Sequence, residues 1–489
     1  MRLICCLAML LTINIYSWSQ GLIDTLVTDV ENGLTMQTIV PNGAMASKGH
    51  ILNKMEQYKI PGISAAVIHN GNIRWSRSYG IADLKTKDSV TNETLFQLAS
   101  IGKVITALAA LYLVKQGQLT LDENVNDKLK RWKIPENELT VKNKVTVRHL
   151  LSHSSGLADD YGFQGYAPDE KIPDLLQIIN CQRPANTKKQ LTIKTKPGHK
   201  ERYSGGGYLI LQLLIEDVTG SDFSEFVSKR IFEPLEMTNT TYDYRPDVTL
   251  GARIASGHKG SGGPLRNKRY HIYPERGAAG PWSTASDIAK LIVELQKEYH
   301  NESELILNKT LISEMFSPQI NNKGLGVNLK GVDKPDAFWH AGQNLGYTGL
   351  FYGLINQRDG AVILLNSDGG TKLMQEFITS VAHAYDWPVM KSAQSLPVSD
   401  ELQLKLIGNY HDPATNKVLI VESIKNRLKL KTLDSKTTYD LFRIDDNIYT
   451  FKDAQDYYRI SFNLTGEKVD GLIYTQSIGK EIRMSKTVD

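Results

Sequence analysis

Cysteine is nearly missing from this 489-residue chain, which has three: Cys5, Cys6 and Cys181. The first two lie in an apolar run, Leu3 to Ile15, that follows Met1 and Arg2 and gives way to Ser17 and Ser19 before Gln20. This is the layout of a secretory signal over residues 1–19. Cys5 and Cys6 precede most of the run, the wrong place for a processed lipoprotein cysteine. Removal of the signal leaves Cys181 alone, which excludes an internal disulfide. Long apolar runs are also lacking. The N-terminal one falls short of the ~20 residues of a spanning helix and none comparable follows, so no stable membrane span is expected. Charge of one sign is lacking as well: 57 basic against 53 acidic residues give a net charge of +4. Without a concentrated basic face, nucleic-acid binding is set aside. There is no repeat of fixed period and no low-complexity tract. A composition of 41% hydrophobic and 22% charged residues is that of a folded protein, and the length predicts two domains.

What is present reads as an α+β domain over residues 20–390. Gly62 to Ala82 forms two strands around a His69-Asn70-Gly71-Asn72 turn, a strong hairpin signal. A helix from Ser100 to Gln116, ended by Gly117, carries Ala, Leu and Val on every face and should be buried all round. Helical patterns recur at Val147–Ser152, Tyr208–Thr219, Ser286–Tyr299 and Met374–Tyr385, and a second hairpin spans Gly346–Ser367. This order predicts an antiparallel sheet completed by both ends of the domain, with a helical middle packed on it. Residues 391–400 lose periodicity and read as a linker. Beyond them, residues 401–489 hold short alternating runs at Val418–Val421, Arg427–Lys431, Tyr439–Ile444, Ile448–Phe451, Tyr457–Leu464 and Gly471–Tyr474. Their spacing is that of a small β-barrel or sandwich without catalytic residues.

Within the first domain, Ser100 and Lys103 are three residues apart on a helix, so the lysine can reach the serine hydroxyl as a base. Alone, the pair fits better a capping serine and a lysine that snorkels to solvent, since both residue types are common. Two further motifs occur downstream, Tyr203-Ser204-Gly205-Gly206-Gly207-Tyr208 and His340-Ala341-Gly342. In this order the three motifs resemble those of the serine β-lactamase and penicillin-binding-protein superfamily, nearest its class C branch of esterases, D-aminopeptidases and D,D-carboxypeptidases. The resemblance covers roughly residues 48 to 390. It also takes in Val145 to Leu157 and Gly277 to Asp287, which are similar to framework stretches of that branch.

The resemblance implies a β-lactamase/transpeptidase-like fold and a serine hydrolase that needs no metal or cofactor. Ser100 would be the nucleophile, Lys103 its base and Tyr203 the shuttle returning the proton to the leaving group. The backbone N–H groups of Ser100 and Gln343 would form the oxyanion hole, with Gly342 permitting close approach. Two departures bear on substrate. Gly205 stands where many relatives have the asparagine that binds the substrate acylamide, so poor β-lactam turnover is expected. His340 replaces a common lysine and, titrating near ~6.5, would favour neutral esters or amides over carboxylates. The substrate is a small molecule or peptide, and oligomeric state stays open. The resemblance also suggests a bacterial periplasmic or secreted location. A sensor that acylates without turnover, or a silent scaffold acting through the C-terminal domain, is the alternative. His149 and His153 lack the Glu of an H-E-x-x-H metal site and read as structural. Lys188, Lys189, Lys194, Lys196 and Lys200 read as a solvated face that would at most attract anionic substrates. Thr284 and Asp287 read as a capping box.

Overall fold

The computed structural model describes residues 25–157, 163–251, 253–265, 268–433, 437–451 and 459–487. The expected signal at 1–19 lies outside them, as does Tyr457 at the head of one expected strand. Among the described residues no helix is long and apolar enough to cross a membrane.

The first domain is organised by a seven-stranded antiparallel sheet. Its strands in chain order are β1 (Gly62–His69), β2 (Asn72–Asp83), β3 (Asp88–Ser89), β4 (Asn328–Lys330), β5 (Ala337–Asn344), β6 (Tyr347–Leu354) and β7 (Gly360–Leu365). Their spatial order is β3-β2-β1-β7-β6-β5-β4, so β1 lies beside the last strand in sequence and the two ends of the domain close one sheet. The early hairpin turns on Asn70 and Gly71, both at positive φ (53° and 73°), the backbone that matches strand twist and favours Asn-Gly. Strand β7 is buried along its whole length, which explains an apolar run without alternation. Ala66, Ile68, Val362 and Leu364 face one core. Ile63, Ala65, Val67, Ala361 and Ile363 face a second core on the other side.

Six helices position the site and the barrel: α1 (Gly102–Lys115), α2 (Gly205–Thr219), α3 (Arg276–Ala279), α4 (Ala285–Tyr299), α5 (Thr371–Ala384) and α6 (Asp400–Leu406). Helix α1 is buried on nearly every face. It packs with α2 and α4 in the first core, while α5 covers the second. Thr284 caps α4 by accepting the Asp287 N–H at 3.2 Å, and the buried Asp287 carboxylate accepts from the Asn239 N–H, Thr240 Oγ1 and Lys290 Nζ.

Residues 391–400 are more ordered than a linker. Ala393–Gln394 pairs in parallel with Ile39–Val40, and the Leu396 N–H donates to the Arg443 carbonyl at 2.8 Å, tying the second domain to the first. That domain is a closed barrel of β8 (Gly408–Asp412), β9 (Lys417–Ile424), β10 (Arg427–Thr432), β11 (Tyr439–Arg443), β12 (Ile448–Phe451), β13 (Arg459–Thr465), β14 (Lys468–Ser477) and β15 (Lys480–Lys486). Strands β8 and β15 were not expected. Each places only one or two apolar side chains inward, Tyr410 from β8 and Ile482 and Met484 from β15, among charged and polar neighbours.

Candidate active site

Ser100 sits in a single 3-10 turn, Ala99–Ile101, that runs directly into α1. Ala99 takes φ +49°, a left-handed backbone that a residue with a Cβ seldom adopts. The Leu98 N–H on the Pro281 carbonyl, at 2.9 Å, anchors the turn from behind. One helical turn on, Lys103 is 1% exposed. Its Nζ lies 3.0 Å from Ser100 Oγ and 2.7 Å from the Ala278 carbonyl of α3. Thr106 Oγ1 donates to the neighbouring Gly277 carbonyl at 2.7 Å, and the Gly277 N–H donates to Gln212 Oε1 of α2 at 3.0 Å. Lys103 is thus held on the serine by a peptide that two other helices fix.

Tyr203 precedes α2, whose N-cap Ser204 accepts the Gly207 N–H at 2.8 Å. The ring of Tyr203 lies 5.1 Å from Lys103 Nζ. Its other neighbour is the ring of His153, 4.4 Å away between centroids. Among the described residues the Tyr203 hydroxyl has no hydrogen bond to Ser100 or Lys103, and the side chain is 44% exposed, open to an incoming substrate. Gly205 begins α2 and is buried, so no side chain stands where an acylamide-binding amide was sought.

Strand β5 supplies the opposite wall. Strand β4 pairs only with Ala337 to Trp339, which leaves residues 340–344 on a free edge. The β5–β6 hairpin closes at Asn344↔Tyr347 around two residues, so that pair exchanges both ladder bonds and Gln343↔Thr348 does not. The Gln343 N–H therefore points off the edge, as an oxyanion donor requires. Gly342 also lets backbone meet backbone. A Cβ there would fall 2.2 Å from the Leu98 carbonyl and 3.0 Å from the Ser100 nitrogen, so its missing side chain seats the Ser100 turn against β5. The Gln343 side chain donates to the Asp368 carbonyl at 2.9 Å. Asn344 is buried, donating to Gln97 Oε1 at 3.0 Å and the Ala279 carbonyl at 3.1 Å. The Asn344 amide is therefore not free to take the place of the absent asparagine.

His340 departs from expectation. It is buried, and desolvation together with the Lys103 and Lys323 charges pushes its pKa down to about 3, so it stays neutral through the range in which it was expected to titrate. Its Nδ1–H donates to the Ala341 carbonyl at 2.7 Å. His153 behaves alike: burial and the same two lysines hold its pKa well below the usual value, and its Nδ1 accepts the Ser204 N–H at 3.1 Å. His153 therefore fixes both the ring and the backbone of the Tyr203 segment. His149 has its own task in the cap of Val147–Leu151. Lys323 is invisible to motif reasoning because its segment carries no motif. Its ammonium lies 3.4 Å from Glu201 Oε1 and donates to Asn328 Oδ1. Lys188, Lys189, Lys194, Lys196 and Lys200 are all exposed.

Comparison with known proteins agrees with this geometry. A family model described as Beta-lactamase matches residues 48–385. The penicillin-binding protein 4* of Bacillus subtilis is 26% identical over 369 residues, 70% of this chain and 77% of that protein. Protein Flp of Staphylococcus aureus strain MRSA252 is 22% identical over 340 residues, 68% of this chain but 65% of that protein's length. The match to Flp of strain N315 spans 37% of its length. Among solved structures, an octameric penicillin-binding-protein homologue from Pyrococcus abyssi superposes with a TM-score of 0.57 at 24% identity, over 89% of this chain and 98% of that one. The D-amino acid amidase of Ochrobactrum anthropi gives 0.55 at 23% identity, over 69% and 97%. These two share the fold. With its family match extending from before the first strand of the sheet to the end of α5, the chain belongs to the Beta-lactamase family.

Proposed function

We propose that the protein hydrolyses ester or amide bonds of small acyl groups that carry no carboxylate, through an acyl-enzyme on Ser100. The observation that carries this reading is the 3.0 Å contact between Ser100 Oγ and a lysine amine buried beneath it. In its unprotonated form Lys103 takes the hydroxyl proton as Oγ attacks the carbonyl carbon. The oxyanion is met by the Ser100 and Gln343 N–H groups. Tyr203, beside Lys103, passes the proton to the departing amine or alcohol, and water then cleaves the ester intermediate. Neutral His340 offers no charge to a substrate carboxylate, and Lys323 is already paired with Glu201, which favours neutral substrates. With Gly205 lacking an amide and Asn344 bonded elsewhere, β-lactams should be turned over poorly. D-amino-acid amides and small acyl esters are the preferred candidates, and the N-terminal apolar run supports export to a periplasm or beyond.

A fluorophosphonate probe on wild type and Ser100→Ala tests the nucleophile: labelling should vanish in the variant, and Ser100-independent labelling would defeat the assignment. Turnover of p-nitrophenyl acetate and D-alanyl-p-nitroanilide should exceed that of nitrocefin. Labelling without turnover of any of the three would instead make the protein an acyl-trapping sensor.

A further inference from the structure

The C-terminal barrel is filled at one end and, among the described residues, holds a cavity towards the other. At the end where the chain enters, α6 lies across the strands: Leu406 is buried, Leu402 packs beside it, and Tyr410 donates its hydroxyl to the Leu406 carbonyl at 2.6 Å. Val421, Leu428 and Leu472 belong to the same packed core. Towards the opposite end the inward positions of β9, β10 and β15 continue as Leu419, Leu430 and Met484, yet between them lies a cavity of about 410 Å³. Eight-stranded barrels are just wide enough either to fill with side chains or to hold one small ligand, and this one does the first below and the second above. The volume sits near the low end of the ~300–1,000 Å³ of small-molecule sites, which suits a single hydrocarbon chain better than a two-chain lipid.

The rim selects the head group. Tyr439 is 45% exposed and Leu433 64% exposed at the opening, apolar surface that a lone barrel would ordinarily hide. Three lysines stand on the two strands beside it. Lys429 is paired with Asp440, and Lys431 with Glu422 at 2.8 Å. Lys417 lines the cavity and, among the described residues, has no ion-pair partner. A cation over an apolar shaft is complementary to an amphiphile with an anionic head. We propose that the open end of the barrel binds a free fatty acid, its chain between Leu419, Leu430 and Met484 and its carboxylate at Lys417. The site is separate from Ser100 and does not depend on the hydrolase reading. The same end touches the hydrolase domain, where the Gly479 N–H donates to the Val332 carbonyl at 2.9 Å, just ahead of β5.

The test uses the full-length Ser100→Ala chain, so that no acyl transfer intervenes, with 11-(dansylamino)undecanoic acid as the probe. Expected are one saturable site by dansyl emission and displacement by dodecanoate in preference to dodecanol. Leu430→Trp, which occupies the shaft, should raise the probe Kd by about tenfold or more, the equivalent of roughly two buried methylenes lost. Lys417→Glu should weaken dodecanoate while leaving dodecanol unchanged. Met484→Phe serves as the filling variant if Leu430→Trp fails to melt cooperatively. Absence of saturable emission overturns the proposal. So does an unchanged Kd in a natively melting filling variant, or equal displacement by dodecanol and dodecanoate.

Discussion

The surroundings of Ser100 and the lumen of the C-terminal barrel are both buried, but they are built on opposite principles. Around Ser100 the polar side chains Lys103, Thr106, Ser204, Gln212, Asn344 and His153 each have a stated partner, and backbone touches backbone at Gly342. In the barrel the buried side chains are almost all apolar, and space is left between them. A network of directional bonds tolerates neither a lost partner nor an added atom, because a buried polar group without a partner is costly and a misplaced nucleophile is slow. An apolar shaft next to open volume tolerates both. The first region should therefore respond to deletions of single atoms, and the second only to bulk.

The sharpest contrast is expected from the smallest change. Tyr203→Phe removes one oxygen from a half-exposed ring whose stacking on His153 is kept. Acyl transfer from p-nitrophenyl acetate should fall by about 10²–10⁴, the usual worth of a positioned proton carrier, with the melting temperature unchanged. A drop below tenfold would remove Tyr203 from the chemistry. Gly342→Ala comes next. Its methyl would press on the Leu98 carbonyl, so the turn carrying Ser100 must move, and kcat should fall by about 10². Leu430→Phe adds a larger volume to the barrel, and the same ester assay should change by less than about twofold because the added ring enters open space. Comparable losses in the two variants would dissolve the distinction between the regions.

Much of this contrast was legible in the sequence, for physical reasons that differ by element. The early hairpin was readable because Asn70-Gly71 demands the backbone it adopts. Helix α1 was readable because only an all-round buried helix is apolar on every face. Ser100, Lys103 and Tyr203 could be singled out because their motifs lie within short stretches of chain. The residues that hold Lys103 and Tyr203 in place could not, since Ala278 and His153 act through a carbonyl and a ring face brought together across the fold. The state of His340 was misjudged because titration follows burial and the neighbouring cations, among them Lys323, which no spacing rule connects to it. Strands β8 and β15 hid behind their charges, since a barrel wall exposed to water needs only a few inward apolar residues.

The electrostatic side of the comparison makes the last prediction. Glu275, at the N-cap of α3, is fully buried with both carboxyl oxygens unpartnered, and desolvation pushes its pKa up to about 8. A pKa raised in the folded state means that the unfolded chain releases the proton first. Stability is then complete below the unfolded value of 4.5 and declines as pH rises from there through about 8. His340 works in the other direction: with its pKa lowered to about 3, folding loses stability as pH falls from 6.5 towards 3. The region around Ser100 is thus penalised on both sides of a mildly acidic optimum by groups it keeps uncharged. Glu275→Gln removes the alkaline penalty while keeping the shape of the neutral acid. Urea unfolding of wild type and variant should coincide near pH 4.5. Above it they should separate in favour of the variant by at most ~1.4 kcal/mol per pH unit, levelling beyond about pH 8. Parallel curves across that window would mean that Glu275 is solvated or paired in solution. The strict polar accounting that sets the Ser100 region apart from the barrel would then extend to α3, the helix whose carbonyl holds Lys103.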